Sequence, residues 1–227
     1  MKKTLLFLFA LLCLRTALQA HGPAKPAAIQ FTENKGQWHS AFQFKAPIPN
    51  GQLLLEKNAF YYFLYSGDDV SQIHHPGGKQ VTIHGHAFRE EFVGANPQPK
   101  IFAENPFTHY ANYYQGSDPK RWASGVKIYA KVRYKNLFNG IDMLLYSSDE
   151  ERLKYDFVVA PGADVAQIKI RFNGAEEVSL LSGELKIKTS VGDMVEQKPY
   201  AYQEINGFKV EVKCDFEIQG NEVHFVL

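Results

Sequence analysis

The chain has 227 residues, with 25 basic and 24 acidic side chains and two cysteines. Removing the first 20 residues, which have the features of a signal peptide, takes away three bases and no acid and leaves 22 bases against 24 acids. A near-neutral chain without a basic block is poorly suited to phosphate backbones, which argues against nucleic acid as a partner. The remaining length suffices for one large domain or two small ones.

The N-terminus has the three parts of a secretory signal peptide. Lys2 and Lys3 are basic, residues 5–14 are apolar, and Ala20 places a small side chain at the cleavage position. The apolar run is too short for a membrane-spanning helix, and no later stretch approaches the required ~18 residues. The sequence therefore predicts export, cleavage near Ala20, no transmembrane segment and a secreted or cell-surface location. Residues 21–28, rich in proline and alanine, follow as a leader.

The first half of the mature chain alternates turns with apolar runs. Phe31 is followed by a turn at Gly36 and by Trp38. Residues 52–65 predict a hairpin whose second strand has the unbroken apolar and aromatic run 60–65, typical of a strand covered on both faces. Residues 70–92 predict a second hairpin with its turn near 76–78.

From residue 126 onward apolar and charged residues alternate regularly, as in half-buried strands. Asn206-Gly207 predicts a type I′ turn between a strand at 202–205 and a long strand at 208–218. On that long strand Cys214, the one cysteine left after cleavage, falls on the apolar face and is interpreted as a small hydrophobic residue. Residues 223–227 predict the closing strand of the sheet.

These patterns predict one all-β domain over residues 29–227. Short alternating strands separated by frequent turns are typical of an antiparallel two-sheet β-sandwich, either as one body or as two sub-halves that meet near residue 105. The one helical candidate, at residues 164–167, is about one turn long. Without disulfides, packing and β-ladders alone must hold the domain.

Several phrases together resemble one family. They are residues 31–37 (FTENKGQ), 86–97 (HAFREEFVGANP), 112–122 (NYYQGSDPKRW), 139–142 (NGID), 155–164 (YDFVVAPGAD) and 198–203 (KPYAYQ). The chain resembles the uncharacterised N-terminal domain that precedes SBBP-type β-propeller repeats in large secreted bacterial proteins, many with gliding-motility or type IX secretion sorting domains. The resemblance spans residues 29–227. It implies an extracellular interaction, adhesion or structural module that partners a β-propeller, and it brings no catalytic or binding residues to carry over.

An aromatic cluster is the first candidate site. Tyr113, Tyr114 and Trp122 lie in a predicted loop with Asn112, and Tyr110 precedes them. Flat rings beside amide groups suit the faces of sugars, so a carbohydrate-binding module is one alternative function. The other interpretation is that the loop folds back and buries its rings over the end of a sheet.

Histidines are the second candidate site. His84 and His86 would share one face of a predicted strand, with His74 across the hairpin, and such imidazoles can chelate zinc or copper. This pattern suggests a metal-binding protein or a metal-dependent enzyme, against the simpler interpretation as hydrogen-bonded strand residues. The acidic residues 68–69 and 149–151 could bind calcium or form solvated turns.

The carboxyls of Asp142 and Asp156 could form a glycosidase pair, although a turn-to-strand junction explains Asp142 better. No nucleophile elbow or phosphate-binding loop is present in the sequence. The leading expectation is therefore a non-enzymatic module without a cofactor.

Overall fold

The computed structural model describes residues 28–73, 81–148 and 152–227 and the backbone of residues 5–13. This part of the chain is almost entirely β-structure. It contains eighteen strands, one seven-residue α-helix and two 3₁₀ helices of three residues each. All of the strand pairs are antiparallel, and the strands form a β-sandwich, as the sequence predicts.

The strands in chain order are β1 (Leu5–Cys13), β2 (Phe31–Glu33), β3 (Phe44–Ile48), β4 (Gly51–Leu55), β5 (Ala59–Tyr65), β6 (Gly85–Phe92), β7 (Lys100–Tyr113), β8 (Ala123–Phe138), β9 (Ile141–Ser147), β10 (Leu153–Val159), β11 (Lys169–Asn173), β12 (Glu177–Leu181), β13 (Glu184–Thr189), β14 (Gly192–Glu196), β15 (Tyr200–Ile205), β16 (Phe208–Val212), β17 (Asp215–Gln219) and β18 (Glu222–Val226). The helix α1 is Gly67–Ile73, and the 3₁₀ helices are Pro119–Arg121 and Val165–Gln167.

The first layer of the sandwich is built on β8. On one side of β8 the order is β9, β10, β1, β15 and β16, and β7 pairs with its other side. The first half of β8 also pairs with β2, where Phe31 lies opposite Tyr129. From β2 the second layer continues through β3, β4, β5, β6, β11, β18 and β17. One long strand therefore joins both layers.

Aromatic rings from the two layers meet in the core. The ring centroid of Phe60 on β5 lies 6.3 Å from that of Tyr155 on β10, and Phe92 on β6 lies 6.3 Å from Phe157. Phe157 also contacts Phe225 on β18 at 5.8 Å. Full burial of one such ring contributes about 1.5–3 kcal/mol. A single hydrophobic cluster built from these contacts includes residues from Ile29 to Phe225.

A small third sheet closes one end of the sandwich. It consists of β12, β13 and β14, and the edge of β14 that does not face β13 pairs with the last two residues of β1. Leu185, Ile187 and Met194 alternate along β13 and β14 and are fully buried. Because they belong to the same cluster as the sandwich interior, the small sheet shares the main core.

The predicted type I′ hairpin is confirmed, but its long second strand is wrong. Asn206 and Gly207 have φ of 54° and 83°, and Ile205 pairs with Phe208. The segment 208–218 is two strands, because β16 pairs within the first layer and β17 pairs with β18 in the second. The chain changes layers between them, and Phe208 is 75% exposed on the outer strand.

The predicted hairpin at 70–92 is also wrong, because its first part is the helix α1. The hydroxyl of Ser66 accepts a hydrogen bond from the Asp69 backbone N–H at 3.3 Å, as an N-cap does. Asp68 and Asp69 place negative charge in the first turn, where the helix dipole favours it. The proposed turn at residues 76–78 lies outside the described residues.

Two further strands differ from prediction. β5 is covered on one face, because Phe60, Tyr62 and Leu64 are buried whereas Phe63 is exposed. On its outer face Phe63 contacts Tyr61 and Tyr65 at 6.3 and 6.1 Å, so aromatic residues can populate a solvent face by packing along it. The last strand, β18, lies between β17 and β11 and therefore is interior rather than closing.

Candidate functional site

The tip of the β7–β8 hairpin exposes aromatic rings. Tyr110, Tyr114 and Trp122 are 64%, 62% and 45% exposed, so burial over a sheet end is wrong for these three. The rings of Tyr114 and Trp122 meet edge to face, with centroids 5.7 Å apart at 84°. Asp118 caps the 3₁₀ helix just before Trp122, and its carboxylate accepts a hydrogen bond from the Lys120 backbone N–H at 3.0 Å.

Hydrogen bonds hold two of the three exposed rings, those of Tyr114 and Trp122. The indole N–H of Trp122 donates to the Gly116 carbonyl at 3.1 Å, and the Tyr114 hydroxyl lies 3.1 Å from the Ser124 hydroxyl. Asn112 has a structural role, since its side-chain oxygen accepts from the Gly125 backbone N–H at 2.9 Å. The tip is thus a preorganised surface rather than a set of free rings.

Tyr113 points toward a second tryptophan. Its ring lies 5.3 Å from that of Trp38, at 75°, and the Lys45 ammonium lies 4.3 Å from the Trp38 ring centroid. Partial burial lowers the pKa of Lys45. We call the group Trp38, Tyr110, Tyr113, Tyr114 and Trp122 the aromatic tip. Sequence reasoning missed Trp38 as a member, because the phrase that contains it indicated only a turn.

The two described histidines of the predicted metal site have different partners. His84 precedes β6, and its Nδ1 lies 2.7 Å from a carboxylate oxygen of Asp69. His86 uses both ring nitrogens, with Nδ1 2.9 Å from the Ser190 hydroxyl and Nε2 2.9 Å from the Gly174 carbonyl. A metal could bind His86 only if it displaced one of these contacts.

His74, the third proposed ligand, lies outside the described residues, as does the acidic segment 149–151. Among the residues that the structure does describe, no group of three or more His, Cys, Asp or Glu side chains is arranged to hold a metal ion. The metal site therefore stays a prediction.

The two aspartates considered as a glycosidase pair occupy neighbouring strands. Asp142 lies opposite Val158 and Asp156 lies opposite Leu144, so the two are diagonal neighbours on one face. Asp142 accepts from the Asn136 backbone N–H at 2.8 Å and closes the β8–β9 turn, as its junction position suggests.

Asp156 is buried and accepts a hydrogen bond from the Tyr146 hydroxyl at 2.7 Å. Burial raises the pKa of Asp156 to about 6, which the Tyr146 hydrogen bond and Lys154 partly oppose. Its second oxygen lies 3.8 Å from the Lys154 ammonium and has no hydrogen-bond partner in the described chain.

A pair of glutamates lies in the core beside two tyrosines. Glu90 on β6 and Glu196 on β14 are fully buried. The Tyr62 hydroxyl donates to Glu90 at 2.9 Å, and the Tyr155 hydroxyl donates to Glu196 at 2.9 Å. The other oxygen of each glutamate has no hydrogen-bond partner within the described ranges. We call Glu90 and Glu196 the buried glutamate pair, and Tyr62 and Tyr155 are the tyrosines that donate to it.

The environment of the buried glutamate pair favours protonated carboxyls. Burial raises the pKa of Glu90 well above its usual range, and the nearby charge of Glu196 adds to this shift. Burial raises the pKa of Glu196 to about 7. Because both carboxyls are covered, they cannot contact a dissolved substrate in this structure.

Strand periodicity could have located this pair. Glu90 falls on the same face of β6 as the buried Phe88 and Phe92, and Glu196 falls on the same face of β14 as the buried Met194. Acidic residues at core-facing positions are rare enough to be informative.

Cys214 behaves as predicted, as a small hydrophobic residue. It is a free, buried cysteine that packs in the main hydrophobic cluster. Burial raises the pKa of its thiol to about 12, with a further contribution from Asp215.

The fold and these sites define an all-β domain with an exposed aromatic tip and a polar element in its core. The chain belongs to the family described as "Domain of unknown function (DUF7948)", whose model matches residues 31–227. Comparisons with curated proteins and with solved structures found no match. Within the described residues no helix combines the length and apolar character needed to cross a bilayer.

Proposed function

We propose that this chain is an exported, non-enzymatic interaction module, secreted or displayed at the cell surface, that contacts an extracellular protein domain such as a β-propeller. The observation that supports it is the aromatic tip. Cleavage near Ala20 would release the module after export, in keeping with the basic and apolar regions of the N-terminus.

The chemistry of the aromatic tip suits a protein partner. Tyrosine and tryptophan are the residues that most often dominate binding energy at protein interfaces. Trp122 is held by its hydrogen bond to Gly116, and Tyr114 is held beside Ser124, so neither ring loses much freedom on binding. Tyr110 is a further exposed aromatic residue on β7, the strand that leads into the turn.

A carbohydrate ligand is the second candidate for the same surface. Because the Tyr114 and Trp122 rings are nearly perpendicular, only one of them can lie flat against a given sugar face. Trp122 would be the platform, and Tyr114 would line the edge of the site. The candidate therefore predicts that sugar binding depends mainly on Trp122.

Photo-crosslinking in the secreting cells tests the protein-binding proposal. A photo-reactive amino acid replaces Gln115, an exposed residue of the tip, and a second version carries it at the exposed Phe208. We expect one dominant protein adduct from position 115, absent from position 208, and at least tenfold reduced when Trp122→Ala is added. Equal adducts from both positions, or none from position 115, would contradict the proposal.

A glycan array separates the sugar alternative. If wild type binds a glycan and Trp122→Ala does not, whereas Phe208→Ala binds normally, the tip is a carbohydrate site. Binding by neither wild type nor variant removes that candidate. Elemental analysis of the purified protein, with a His84→Ala/His86→Ala control, tests the metal alternative, and a metal-free native protein would eliminate it.

A further inference from the structure

β1 lies in the interior of the first layer, with partners on both sides. Its residue Leu8 pairs with Phe157 of β10 on one side and with Ala201 of β15 on the other. Near its end, Leu12 pairs with Glu196 of β14 in the small sheet. The nine residues of β1 therefore pair with three strands, β10, β14 and β15.

The same nine residues are the apolar region of the predicted signal peptide. If export removes residues 1–20, as the proposed function requires, the mature chain loses this strand. β10 and β15 are each antiparallel to β1 and so run in the same direction, separated by two strand spacings, or about 9.6 Å. Their facing backbone N–H and C=O groups would then be unpaired.

The strands beside this gap specify an extended and largely apolar occupant. Tyr155 and Phe157 on β10 and Ala201 on β15 are fully buried, and they lie directly opposite alternate positions of β1. Directly opposite residues of antiparallel strands share a face, so an occupant must present apolar side chains at those alternate positions.

Two buried acceptors show what the signal segment does not supply. One oxygen of Glu196 and one of Asp156 have no hydrogen-bond partner among the described residues, although β1 occupies the gap beside them. Leu12 lies opposite Glu196 and Phe9 lies opposite Asp156, and neither residue type carries a side-chain donor. Lys154, 3.8 Å from Asp156, offers that carboxylate an ion pair, whereas Glu196 has Glu90 as its charged neighbour.

We propose that the gap between β10 and β15 is a strand-acceptor site in the exported protein. Its ligand is an extended segment of about nine residues from a partner protein, antiparallel to both strands, apolar at alternate positions and carrying lysine or arginine opposite Glu196. This proposal rests on the export and cleavage in the proposed function, but it uses a different surface from the aromatic tip.

A partner segment fits the site better than the leader that remains after cleavage. Residues 21–28 include Pro23 and Pro26, and each proline removes an N–H that an interior strand needs on one of its two sides. This stretch also lacks the alternation of large apolar residues that the walls of the gap require. Addition of a partner strand to an open sheet edge is a common mode of peptide recognition.

Hydrogen–deuterium exchange on the exported protein tests the proposal. The full chain is produced with its own N-terminus, and the processed product is identified by its mass. Three synthetic peptides are compared, each with the sequence of residues 5–13 between solubilising ends. The first has lysine in place of Leu12, the second is unaltered, and the third has proline in place of Leu8.

Because β10 stays paired with β9 and β15 with β16, we expect fast exchange only of the amides in Leu153–Val159 and Tyr200–Ile205 that face the gap in the processed protein alone. With the lysine peptide these amides should exchange at least tenfold more slowly. The unaltered peptide should bind at least tenfold more weakly, because a charge-assisted hydrogen bond to the buried carboxyl is missing. The proline peptide should give no protection. In Glu196→Leu the preference for lysine should disappear, whereas the exposed-site control Glu177→Gln should keep it.

Several outcomes would overturn the strand-acceptor site. They are protection of the gap-facing amides of both strands in the processed monomer without peptide, protection of these amides only in a dimer of this chain, and equal protection by the proline peptide. A mass that retains residues 1–20 would instead show that export processing fails, which refutes that part of the proposed function independently of peptide binding. The comparison of lysine and unaltered peptides on wild type keeps the test decisive if Glu196→Leu does not fold.

Discussion

The hydrogen bond between Tyr62 and Glu90 should be worth a measurable share of the stability of the domain. Tyr62→Phe removes the hydroxyl that donates to Glu90 at 2.9 Å, and both side chains are fully buried. The second Glu90 oxygen already has no hydrogen-bond partner within the described residues, so the whole carboxyl would be left unpaired. Leaving a buried polar group unsatisfied costs about 1–3 kcal/mol, and we expect the free energy of unfolding to fall by that amount.

A second substitution separates this hydrogen bond from simple packing. Glu90→Met replaces the carboxyl with an apolar side chain of similar length, and replacing both partners by apolar groups is close to neutral. In the Glu90→Met background, Tyr62→Phe should therefore have little effect. The double-mutant cycle should give a coupling of about 1–2 kcal/mol.

Urea unfolding at pH 7, followed by tryptophan fluorescence, measures all four proteins of the cycle. Tyr61→Phe is the matched control, because Tyr61 neighbours Tyr62 on β5 but points to the outer face. It should change the free energy of unfolding by no more than about 0.5 kcal/mol. If Tyr62→Phe lowers the free energy of unfolding equally in the wild-type and Glu90→Met backgrounds, the hydrogen bond between Tyr62 and Glu90 does not stabilise the fold.

Three further outcomes are expected. In the chain that retains Leu5–Cys13, burial raises the pKa of Glu196 from 4.5 to about 7, so between these pH values the folded state keeps a proton that the unfolded state releases. The contribution of Glu196 to stability is therefore full below pH 4.5 and is lost as the pH rises to about 7. In urea unfolding at these two pH values, Glu196→Gln should reduce the loss of stability by about 3 kcal/mol. Deletion of Glu222–Leu227 should give insoluble protein, since it unpairs two strands at once, and a soluble product with an unchanged midpoint would contradict the interior position of β18. Gly140→Ala should destabilise the protein more than Gly162→Ala in thermal unfolding. Both glycines have positive φ, which costs an alanine about 1–2 kcal/mol at either site, but only at Gly140 would the added Cβ meet another side chain, at 2.8 Å.

The strand content was predictable because burial alternates with a period of two along most of the chain. Val126, Val132 and Phe157 were placed on buried faces by this pattern, and they are buried. The pattern fails where the chain changes partners. Between Val212 and Asp215 the chain passes from one layer to the other, so apolar residues with continuous alternation end on different surfaces.

Local capping explains the missed helix. The hydroxyl of Ser66 and the acidic side chains of Asp68 and Asp69 favour a helix start, but the two aspartates were predicted only as calcium ligands or solvated turns before a hairpin that begins at residue 70. A sequence reveals helix starts of this kind when serine and aspartate side chains are treated as possible acceptors of hydrogen bonds from backbone N–H groups, and not only as solvated groups.

The aromatic tip was predictable as a group of residues but not as an exposed surface. Tyr114 and Trp122 are only eight residues apart in the sequence and share one turn, whereas their exposure depends on whether other parts of the chain pack over that turn. Trp38 is far from Tyr113 in the sequence but contacts its ring in the fold, and no local sequence pattern predicts that contact. The Glu90–Glu196 proximity also requires two strands from different sheets to meet.

The state of Cys214 makes selective chemical labelling straightforward. The residue is 3% exposed, and burial raises the pKa of its thiol to about 12, so almost none of the thiol is ionised at neutral pH. Maleimide reagents and mild oxidants should leave the processed protein unmodified. A new cysteine at an accessible position such as Ser117 could then carry a fluorophore or spin label without first removing the natural thiol.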